Sequence, residues 1–384
     1  MSLSTQVLNE VAPVKTAPAS RRFYQPELDG LRFYAFLGVF VCHTLPFEAS
    51  FYRGLHLPMP WLWGATVKAG AAGVDLFFAL SAFLITSLLL REREETGDIS
   101  LKLFYLRRIL RIWPLYFLVI GLGIVLSHTM ASQHLQWYYV AGYLLFAGNW
   151  VHAVFGRPES IAFPLWTVSI EEQFYLVWPL LVKTLERRGL ILSGIVIFLL
   201  ATLCRIGFVL AGVSGGYIYY GSTSRCDSIA LGILIALFAD RLPKLTPTAR
   251  LLLVSGGLVG WIVSSAWLTD QPGPISMREV PGRLIIALAA GAMLYGCLYS
   301  RSKLLTGPWV VQLGKVSYGL YLLHLTGLLL AKSILHPVSG AALLATKAIG
   351  FVLTLLLAFA SYRWVESPFL RMKDRFARVL SRPI

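Results

Sequence analysis

Two adjacent carboxylates interrupt an apolar run in this sequence. Glu171 and Glu172 lie within "PLWTVSIEEQFYLVWPLL", and His43 lies near the end of a second apolar run, "LRFYAFLGVFVCHTL". A charged side chain in hydrocarbon is unfavourable by several kcal/mol, so such residues usually mark a reaction or transport path. A carboxylate beside an imidazole raises its basicity and fixes its tautomer, as general-base catalysis near neutral pH requires. These residue types therefore indicate a proton-transfer site made by His43 and one of the glutamates.

Helix geometry gives the imidazole and the carboxylates a similar depth in a membrane. Arg32 and His43 are eleven positions apart, which separates them by roughly 16 Å along a helix. The segment with the two glutamates begins at Trp166 on the other side, so its carboxylates lie roughly 8–9 Å from that surface. In a hydrocarbon core of about 30 Å, these groups share one level, although depth leaves their lateral contact open. The alternative is that His43 hydrogen-bonds between helices and that the glutamates form a structural ion pair.

Acidic and basic side chains also interrupt two other apolar segments. Asp75 lies in "GVDLFFALSAFLIT", where it either orients His43, pairs with an arginine or makes a helix-packing hydrogen bond. Arg225 and Asp227 lie in "RCDSIALG", at the outer end of a predicted span. Their closeness in sequence predicts a local ion pair.

Tyr321 and His324 lie in a further apolar segment, "GKVSYGLYLLHLTG". The helical rise places His324 roughly 12 Å from the predicted cytoplasmic surface. Interhelical hydrogen bonds explain both side chains, and contact with a substrate is the alternative.

Three arginines precede another apolar segment, in "YLRRILRIWPLY". Arg108 and Arg111 are three positions apart, so on a helix they share a face, and Arg107 is adjacent. Paired guanidinium groups suit bidentate recognition of phosphate. The alternative is that these arginines only mark the cytoplasmic end of a span. They indicate a binding site only if a phosphorylated donor docks there.

The composition predicts the elements that must position these residues. Hydrophobic residues make up 57% of the chain and charged residues 14%, whereas a soluble domain carries about 25% charged residues. The four cysteines lack C-x-x-C spacing, so we expect buried thiols, with neither disulfides nor a metal site. Windows of about 20 apolar residues can each span a bilayer. They predict an all-α, polytopic membrane helix bundle of ten spans, near residues 31–47, 66–90, 113–127, 166–182, 190–212, 226–239, 251–268, 283–299, 316–335 and 342–362.

The distribution of Lys and Arg predicts the orientation of the bundle. If the aromatic segment 137–150 does not cross, one set of loops and termini holds 25 of these residues and the other holds 6. Such an asymmetry is typical of cytoplasmic loops, and it would largely cancel if 137–150 crossed. We therefore predict ten spans with cytoplasmic N- and C-termini. The net charge of +15 then reflects topology and attraction to anionic lipid, so no nucleic-acid partner is expected.

Three regions are predicted along the chain. Residues 1–22 are polar and rich in Ala, Pro and Ser, which predicts a disordered cytoplasmic tail. Residues 23–369 form the membrane domain, and residues 370–384 form a basic cytoplasmic tail. No separate soluble domain is expected, so a partner would have to supply any second carrier step on the outer side.

The order of these motifs resembles a known family, the membrane-bound acyltransferase family 3. Its members are O-acyltransferases that modify bacterial surface glycans and some small molecules. The resemblance covers residues 27–369. It rests on "ELDGLRFYAFLGVFVCH", "GVDLFFALSAFLIT", "RRILRIWPLY", "LWTVSIEEQFYLVWPLL", "SRCDSIALG", "LGKVSYGLYLLH" and "SYRWVESPF".

The resemblance implies a multi-pass protein of the bacterial cytoplasmic (inner) membrane. It implies that an acyl group, usually acetyl, passes from cytoplasmic acyl-CoA to a hydroxyl of a carbohydrate or small-molecule acceptor, with no tightly bound cofactor. The expected catalytic residues are Arg32, His43, Asp75, Glu171 and Glu172. The expected donor-binding residues are Arg107, Arg108 and Arg111, and the expected substrate-binding residues are Trp166, Arg225, Asp227, Tyr321 and His324.

The chain departs from the family pattern at three places. Ala82 stands where a Gly is usual after the aspartate motif, and Thr167 stands where a Ser is usual before the glutamates. Phe163 and Pro164 occupy positions where His and Leu are common. The last two departures are expected to alter the acceptor pocket, while all proposed catalytic groups are retained.

Two other classes of function fit the same residues. A transporter or flippase for a glycan or small molecule would use the intramembrane His, Glu and Asp as a proton or substrate pathway. The sequence lacks obvious inverted repeats with broken helices, which weakens that hypothesis. A non-catalytic scaffold would instead tolerate substitution at Arg32, His43 and Glu171.

Overall fold

The computed structural model describes residues 23–268, 276–336 and 340–379. The predicted tail 1–22 lies outside these residues, as does the end of the predicted tail 370–384. The described residues form an all-α polytopic bundle without a β-strand, as predicted, and contain one isolated β-bridge between His134 and Glu159.

The described residues of the first half of the chain form nine helices. They are α1 Pro26–Thr44, α2 Ala49–Gly54, α3 Pro60–Ala69, α4 Gly73–Thr96, α5 Leu101–Thr129, α6 Trp137–Leu144, α7 Gly148–Phe155, α8 Leu165–Thr184 and α9 Arg187–Leu210. A single 3₁₀ turn, Gly70–Ala72, joins α3 to α4.

Residues 215–268, 276–336 and 340–379 form nine more. They are α10 Gly215–Tyr220, α11 Ser222–Phe238, α12 Pro247–Trp267, α13 Glu279–Cys297, α14 Lys303–Thr306, α15 Pro308–Lys315, α16 Ser317–Leu335, α17 Gly340–Ser361 and α18 Ser367–Asp374. A π-helical turn, Tyr362–Glu366, joins α17 to α18. The first residues of the predicted C-terminal tail belong to α18, in which Leu370 and Lys373 are buried.

Eight segments among the described residues are long and apolar enough to cross a membrane. They contain α4, α5, α9, α11, α12, α13, α16 and α17. The other two predicted spans correspond to α1 and α8, which have 19 and 20 residues. These two helices carry intramembrane candidates, Arg32 and His43 in α1 and the two glutamates in α8.

The aromatic segment 137–150 folds into a helical hairpin made by α6 and α7. Each helix has 8 residues, or about 12 Å, which is too short for a core of about 30 Å. The Tyr139 hydroxyl donates to the carbonyl oxygens of Phe155 and Gly156, at 3.2 and 2.9 Å. This contact joins the beginning of the hairpin to its end, so the prediction that 137–150 does not cross is confirmed.

Two glycines fix the start of α1 against the segment α14–α15. A Cβ atom on Gly314 would lie 1.9 Å from the carbonyl oxygen of Asp29. A Cβ atom on Gly30 would lie 2.1 Å from the carbonyl oxygen of Leu305. No side chain fits at these distances, so the two glycines permit direct backbone packing. The first turns of α1, with Arg32, are therefore held in place.

Candidate active site

A first cavity lies between α1, α4, α5, α8 and α16, at the Arg-rich end of the bundle. Its volume is about 130 Å³. Arg32, Arg108, Arg111 and Glu171 line it, together with apolar residues of α4. The structure thus brings together one predicted catalytic arginine, two predicted donor-binding arginines and one predicted glutamate, which come from three different helices.

Glu171 is held by two neutral hydroxyl groups within the first cavity. Its Oε1 accepts a hydrogen bond from Ser81 at 2.8 Å, and its Oε2 accepts one from Tyr175 at 2.9 Å. His43 makes no hydrogen bond or ion pair with Glu171 among the described contacts. The predicted pairing of His43 with a glutamate is therefore wrong, since Glu171 lines this cavity and His43 lines another one.

Glu172 points to another side of α8 from Glu171. It does not line the first cavity, and its Oε1 is buried without a hydrogen-bond partner among the described residues. Its charge interacts with that of Arg108. Adjacent residues of a helix do not share a face, which explains why the Glu-Glu pair separates into two environments.

The three predicted donor-binding arginines are also divided. Arg107 forms an ion pair with Glu92 at 2.9 Å and donates to the carbonyl oxygen of Phe376. Arg108 instead lies over the rings of Phe104 and Tyr175, at 5.6 and 5.7 Å from their centres. Its buried Nε has no hydrogen-bond partner among the described residues. Only Arg108 and Arg111 of this cluster face the first cavity.

A second, larger cavity lies at the opposite end of the bundle. Its volume is about 640 Å³, and aromatic and charged side chains form much of its wall. His43, Asp75 and Arg225 line it. The structure thus places the predicted histidine and aspartate on the second cavity and the predicted glutamate on the first.

His43 is oriented by another histidine. Its Nδ1 lies 2.7 Å from Nε2 of His324, which is fully buried. Nδ1 of His324 lies 2.6 Å from the carbonyl oxygen of Tyr321. A carbonyl only accepts, so His324 carries its proton on Nδ1, and its Nε2 accepts a hydrogen bond when the ring is neutral.

The proton of neutral His43 is thereby placed on Nδ1. Since Nε2 of His324 accepts, Nδ1 of His43 must donate, and Nε2 of His43 is left without a proton. That atom is the one available to a ligand of the second cavity. The hydrogen bonds from His43 to His324 and from His324 to the carbonyl oxygen of Tyr321 fix the tautomer and the orientation of the His43 ring. This is the role that we expected of a glutamate.

Asp75 belongs to a buried ion pair. It binds Arg225 at 3.0 Å and accepts a hydrogen bond from Ser228 at 3.1 Å. Of the three alternatives for Asp75, pairing with an arginine is therefore confirmed. Asp227 binds Arg205 at 2.7 Å.

The predicted local ion pair between Arg225 and Asp227 is wrong. Residues two apart point to different sides of a helix. Arg225 therefore binds Asp75 of α4, and Asp227 binds Arg205 of α9. Asp227 does not line the second cavity, whereas Arg225 does. The indole of Trp166 is buried beside the rings of Tyr219 and Tyr220.

Tyr321 links the first cavity to the histidine pair. Its ring lines the first cavity and packs against Phe77, with ring centres 5.6 Å apart. Its hydroxyl is hydrogen-bonded to Thr167 at 3.1 Å. One turn further along α16, His324 contacts the histidine of the second cavity. Of the predicted substrate-binding residues, Tyr321 thus lines the first cavity, and His324 contacts the histidine that lines the second.

The sequence analysis missed Arg157, which lines the second cavity. Its guanidinium carbon lies 4.2 Å from the centre of the Phe163 ring, and that ring is 5.9 Å from the ring of His43. In the sequence analysis, Arg157 is only one of the six Lys and Arg residues assigned to the outer loops. The available signal was its position in the short loop between the α6–α7 hairpin and α8. Phe163, noted as a departure from the family pattern, indeed lies at the second cavity.

Comparisons with known proteins match this arrangement to one family. The acyltransferase domain of acyltransferase family 3 matches residues 25–363. A Staphylococcus aureus protein named "Putative O-acetyltransferase" is 29% identical over 377 residues, which cover 90% of this chain and 57% of that protein. Peptidoglycan O-acetyltransferase OatA of Listeria monocytogenes is 28% identical over 384 residues, which cover 92% and 57%. The chain spans little more than half the length of these relatives. No solved structure is significantly similar to it.

Proposed function

The chain belongs to acyltransferase family 3, and from this premise we propose that it is a membrane O-acetyltransferase. In this proposal, acetyl-CoA enters the first cavity from the cytoplasm, and a hydroxyl of a carbohydrate enters the second cavity. The names of the relatives support transfer of acetyl to oxygen, and one names peptidoglycan as its acceptor. The asymmetry of Lys and Arg supports a cytoplasmic position for the first cavity in a bacterial inner membrane.

The donor side of the proposal rests on the arginines of the first cavity. Arg108 and Arg111 would bind phosphate groups of CoA, because guanidinium groups form paired hydrogen bonds with phosphate oxygens. A buried donor such as Nε of Arg108 usually has a partner in a native structure, and a bound phosphate would supply one. Arg32 would position the thioester arm. A volume of about 130 Å³ suits a short acyl group such as acetyl.

The acceptor side rests on the second cavity. Its volume of about 640 Å³ lies in the range of roughly 300–1,000 Å³ found for small-molecule sites. Phe163, Tyr219 and Tyr220 line it, and aromatic rings with polar edges suit the mixed apolar and polar faces of a sugar. The cavity therefore has the size and lining for one or two sugar units next to His43.

The reaction follows from the free Nε2 of His43. This nitrogen takes the proton of the acceptor hydroxyl while the hydroxyl oxygen attacks the thioester carbonyl carbon. The tetrahedral intermediate then breaks its C–S bond, the acetyl group stays on the acceptor oxygen, and the CoA sulfur leaves with the proton from Nε2. Prior transfer of acetyl to Nε2 is the alternative route, and it requires the same unprotonated nitrogen.

The glutamates take a different part from the one expected. Glu171 holds the hydroxyls of Ser81 and Tyr175, both of which line the first cavity, so it would shape the donor site. Glu172 would balance the charge of Arg108. The two carboxylates would therefore position the donor, while His324 orients the base.

A single observation carries the proposal: His43, which lines the second cavity, is hydrogen-bonded to His324, one turn from Tyr321, which lines the first. In the proposal, donor and acceptor meet beside these residues. A passive scaffold has no need for a tautomer fixed in this way.

Transfer of radiolabelled acetyl from acetyl-CoA to peptidoglycan fragments, by the purified full chain in lipid nanodiscs, tests the proposal. We expect His43→Ala to lower the rate by about 10² to 10⁴-fold, the usual contribution of a general base. The control is His128→Ala, because His128 is exposed at the end of α5. Wild-type activity in a folded His43→Ala protein would refute the assignment. Movement of glycan across the membrane without consumption of acetyl-CoA would instead identify a transporter.

A further inference from the structure

The second cavity carries an excess of positive charge. Among the described residues, four cationic side chains and two carboxylates line it: Lys68, Arg157, Arg225, Arg283, Asp75 and Glu279. In a cavity with low-dielectric walls, such an excess raises the local concentration of anions. The question is which of the cations is available to a ligand.

Both carboxylates already have arginine partners. Asp75 binds Arg225 at 3.0 Å, and Glu279 binds Arg283 at 3.0 Å. Lys68 donates to the carbonyl oxygen of Leu268. Three of the four cations, Arg225, Arg283 and Lys68, therefore already have a partner within the protein.

Arg157 differs from the other three. Neither an ion pair nor a hydrogen bond joins its side chain to any residue that the structure describes. Its guanidinium lies over the ring of Phe163 at 4.2 Å, and this contact leaves the N–H groups in the guanidinium plane accessible to a planar anion. The side chain is exposed, so a ligand reaches it without displacing protein contacts.

Arg157 and His43 border the same aromatic ring. The distances of 4.2 and 5.9 Å from the Phe163 ring place the guanidinium and the imidazole at most about 10 Å apart. A sugar lying in the cavity can therefore present a hydroxyl to Nε2 of His43 and a substituent on its other side to Arg157.

We propose that the second cavity takes an anionic acceptor, a saccharide whose carboxylate or phosphate group binds Arg157 while one of its hydroxyls faces His43. The inference rests on the proposed function, because it assigns the acceptor class of that same site. A neutral sugar would leave the excess charge of the cavity without a counter-ion, whereas an anionic one forms a paired, charge-assisted contact with the guanidinium.

Binding of matched sugars tests the inference without relying on turnover. The probes are methyl glucuronide, methyl glucoside and glucose 1-phosphate, titrated against the full chain in nanodiscs. We expect Kd to be at least about tenfold lower for one of the anionic probes than for the neutral glucoside, as a hydrogen bond to a charged group implies. The stronger anionic probe identifies the source of the charge as carboxylate or phosphate.

A substitution series isolates the guanidinium. We expect Arg157→Gln to raise Kd for the anionic probe about tenfold and to leave Kd for the glucoside unchanged, while Arg157→Lys keeps part of the preference. The matched control is Arg53→Gln, since Arg53 is exposed in α2 and does not line the second cavity.

The outcomes separate the inference from the proposed function. Equal affinity for acidic and neutral sugars, binding of neither, or a preference that survives Arg157→Gln would overturn the inference, even if acetyl transfer is observed. Selective anion binding that depends on Arg157, in a protein that transfers no acetyl, would support the cavity assignment and reject the proposed function.

Discussion

Arg108 of the first cavity and Arg225 of the second are held in opposite ways. In the first cavity, Glu171 is bound by neutral hydroxyls, and Arg108 has a buried Nε without a hydrogen-bond partner among the residues that the structure describes. In the second cavity, Arg225 and Arg283 are each paired with a carboxylate. Arg108 is thus placed to receive the charge of a ligand. The second cavity instead has two ion pairs beside His43, whose ring is oriented by His324.

Breaking a buried ion pair of the second cavity should have the largest effect, on the free energy of unfolding. We expect Asp75→Asn to lower the free energy of unfolding by about 3–5 kcal/mol, because it leaves the buried Arg225 without its counter-charge. Denaturant unfolding in mixed micelles measures the loss. The control is Glu279→Gln, whose ion pair is more exposed and should matter less. Equal losses for the two variants would show that burial does not distinguish these pairs.

Removing an arginine from the first cavity should affect the donor alone. We expect Arg108→Gln to raise KM for acetyl-CoA by about 10- to 100-fold, since a hydrogen bond to a charged group contributes about 1.5–3 kcal/mol. KM for the acceptor should stay constant in the same steady-state assay. Arg91→Gln is the control, because Arg91 pairs with Glu95 at the surface. A rise in KM for the acceptor would contradict the division of labour between the cavities.

The histidine pair can be tested with two substitutions of His324, one that removes the hydrogen-bond acceptor and one that keeps an acceptor. We expect His324→Leu to lower kcat about tenfold with little change in either KM, because Nδ1 of His43 loses its partner. His324→Gln keeps an accepting oxygen and should recover most of the rate. Nitrogen NMR of the wild type should find the proton of His43 on Nδ1. A proton on Nε2 would exclude the tautomer derived from the hydrogen bonds.

A surface ion pair outside both cavities should have the smallest effect. Asp98 lies in the loop between α4 and α5 and binds Lys183 at 2.8 Å. This contact lowers the pKa of Asp98 below its ordinary value of 3.8. The pair therefore stabilises the fold above that pH, and its contribution disappears as the pH falls through the lowered pKa. We expect Tm of wild type and Asp98→Asn to differ slightly at pH 6 and to converge toward pH 3. A difference that grows with acidity would contradict this sign.

Sequence periodicity and charge predicted much of the fold, because apolar length and the position of Lys and Arg are properties of each segment alone. The non-crossing segment 137–150 followed from the same charge argument and is now seen as a hairpin. The levels of Arg32 and His43 along α1 also followed from helical rise. Each of these inferences needs information from a single helix.

The pairing of polar groups could not be predicted in the same way, because it depends on which helices are neighbours. His43 and the glutamates are predicted at one depth, yet in the folded bundle His43 contacts His324 and Glu171 contacts Ser81. One error was avoidable. Arg225 and Asp227 are two residues apart, so they had to face different helices. Arg205, inside a predicted span, was the missing counter-charge for Asp227.

The backbone contact of Gly314 with Asp29 limits how the donor entrance can widen. Because no atom separates these two segments, the side of the cavity that carries Arg32 is rigid. The opposite wall is α5, where Pro114 follows Arg111 within the helix and removes one backbone hydrogen bond. The arginine-bearing turn of α5 is therefore the side that bends more easily. Under the proposed function, the pantetheine arm of the donor would enter by bending this turn outward at Pro114.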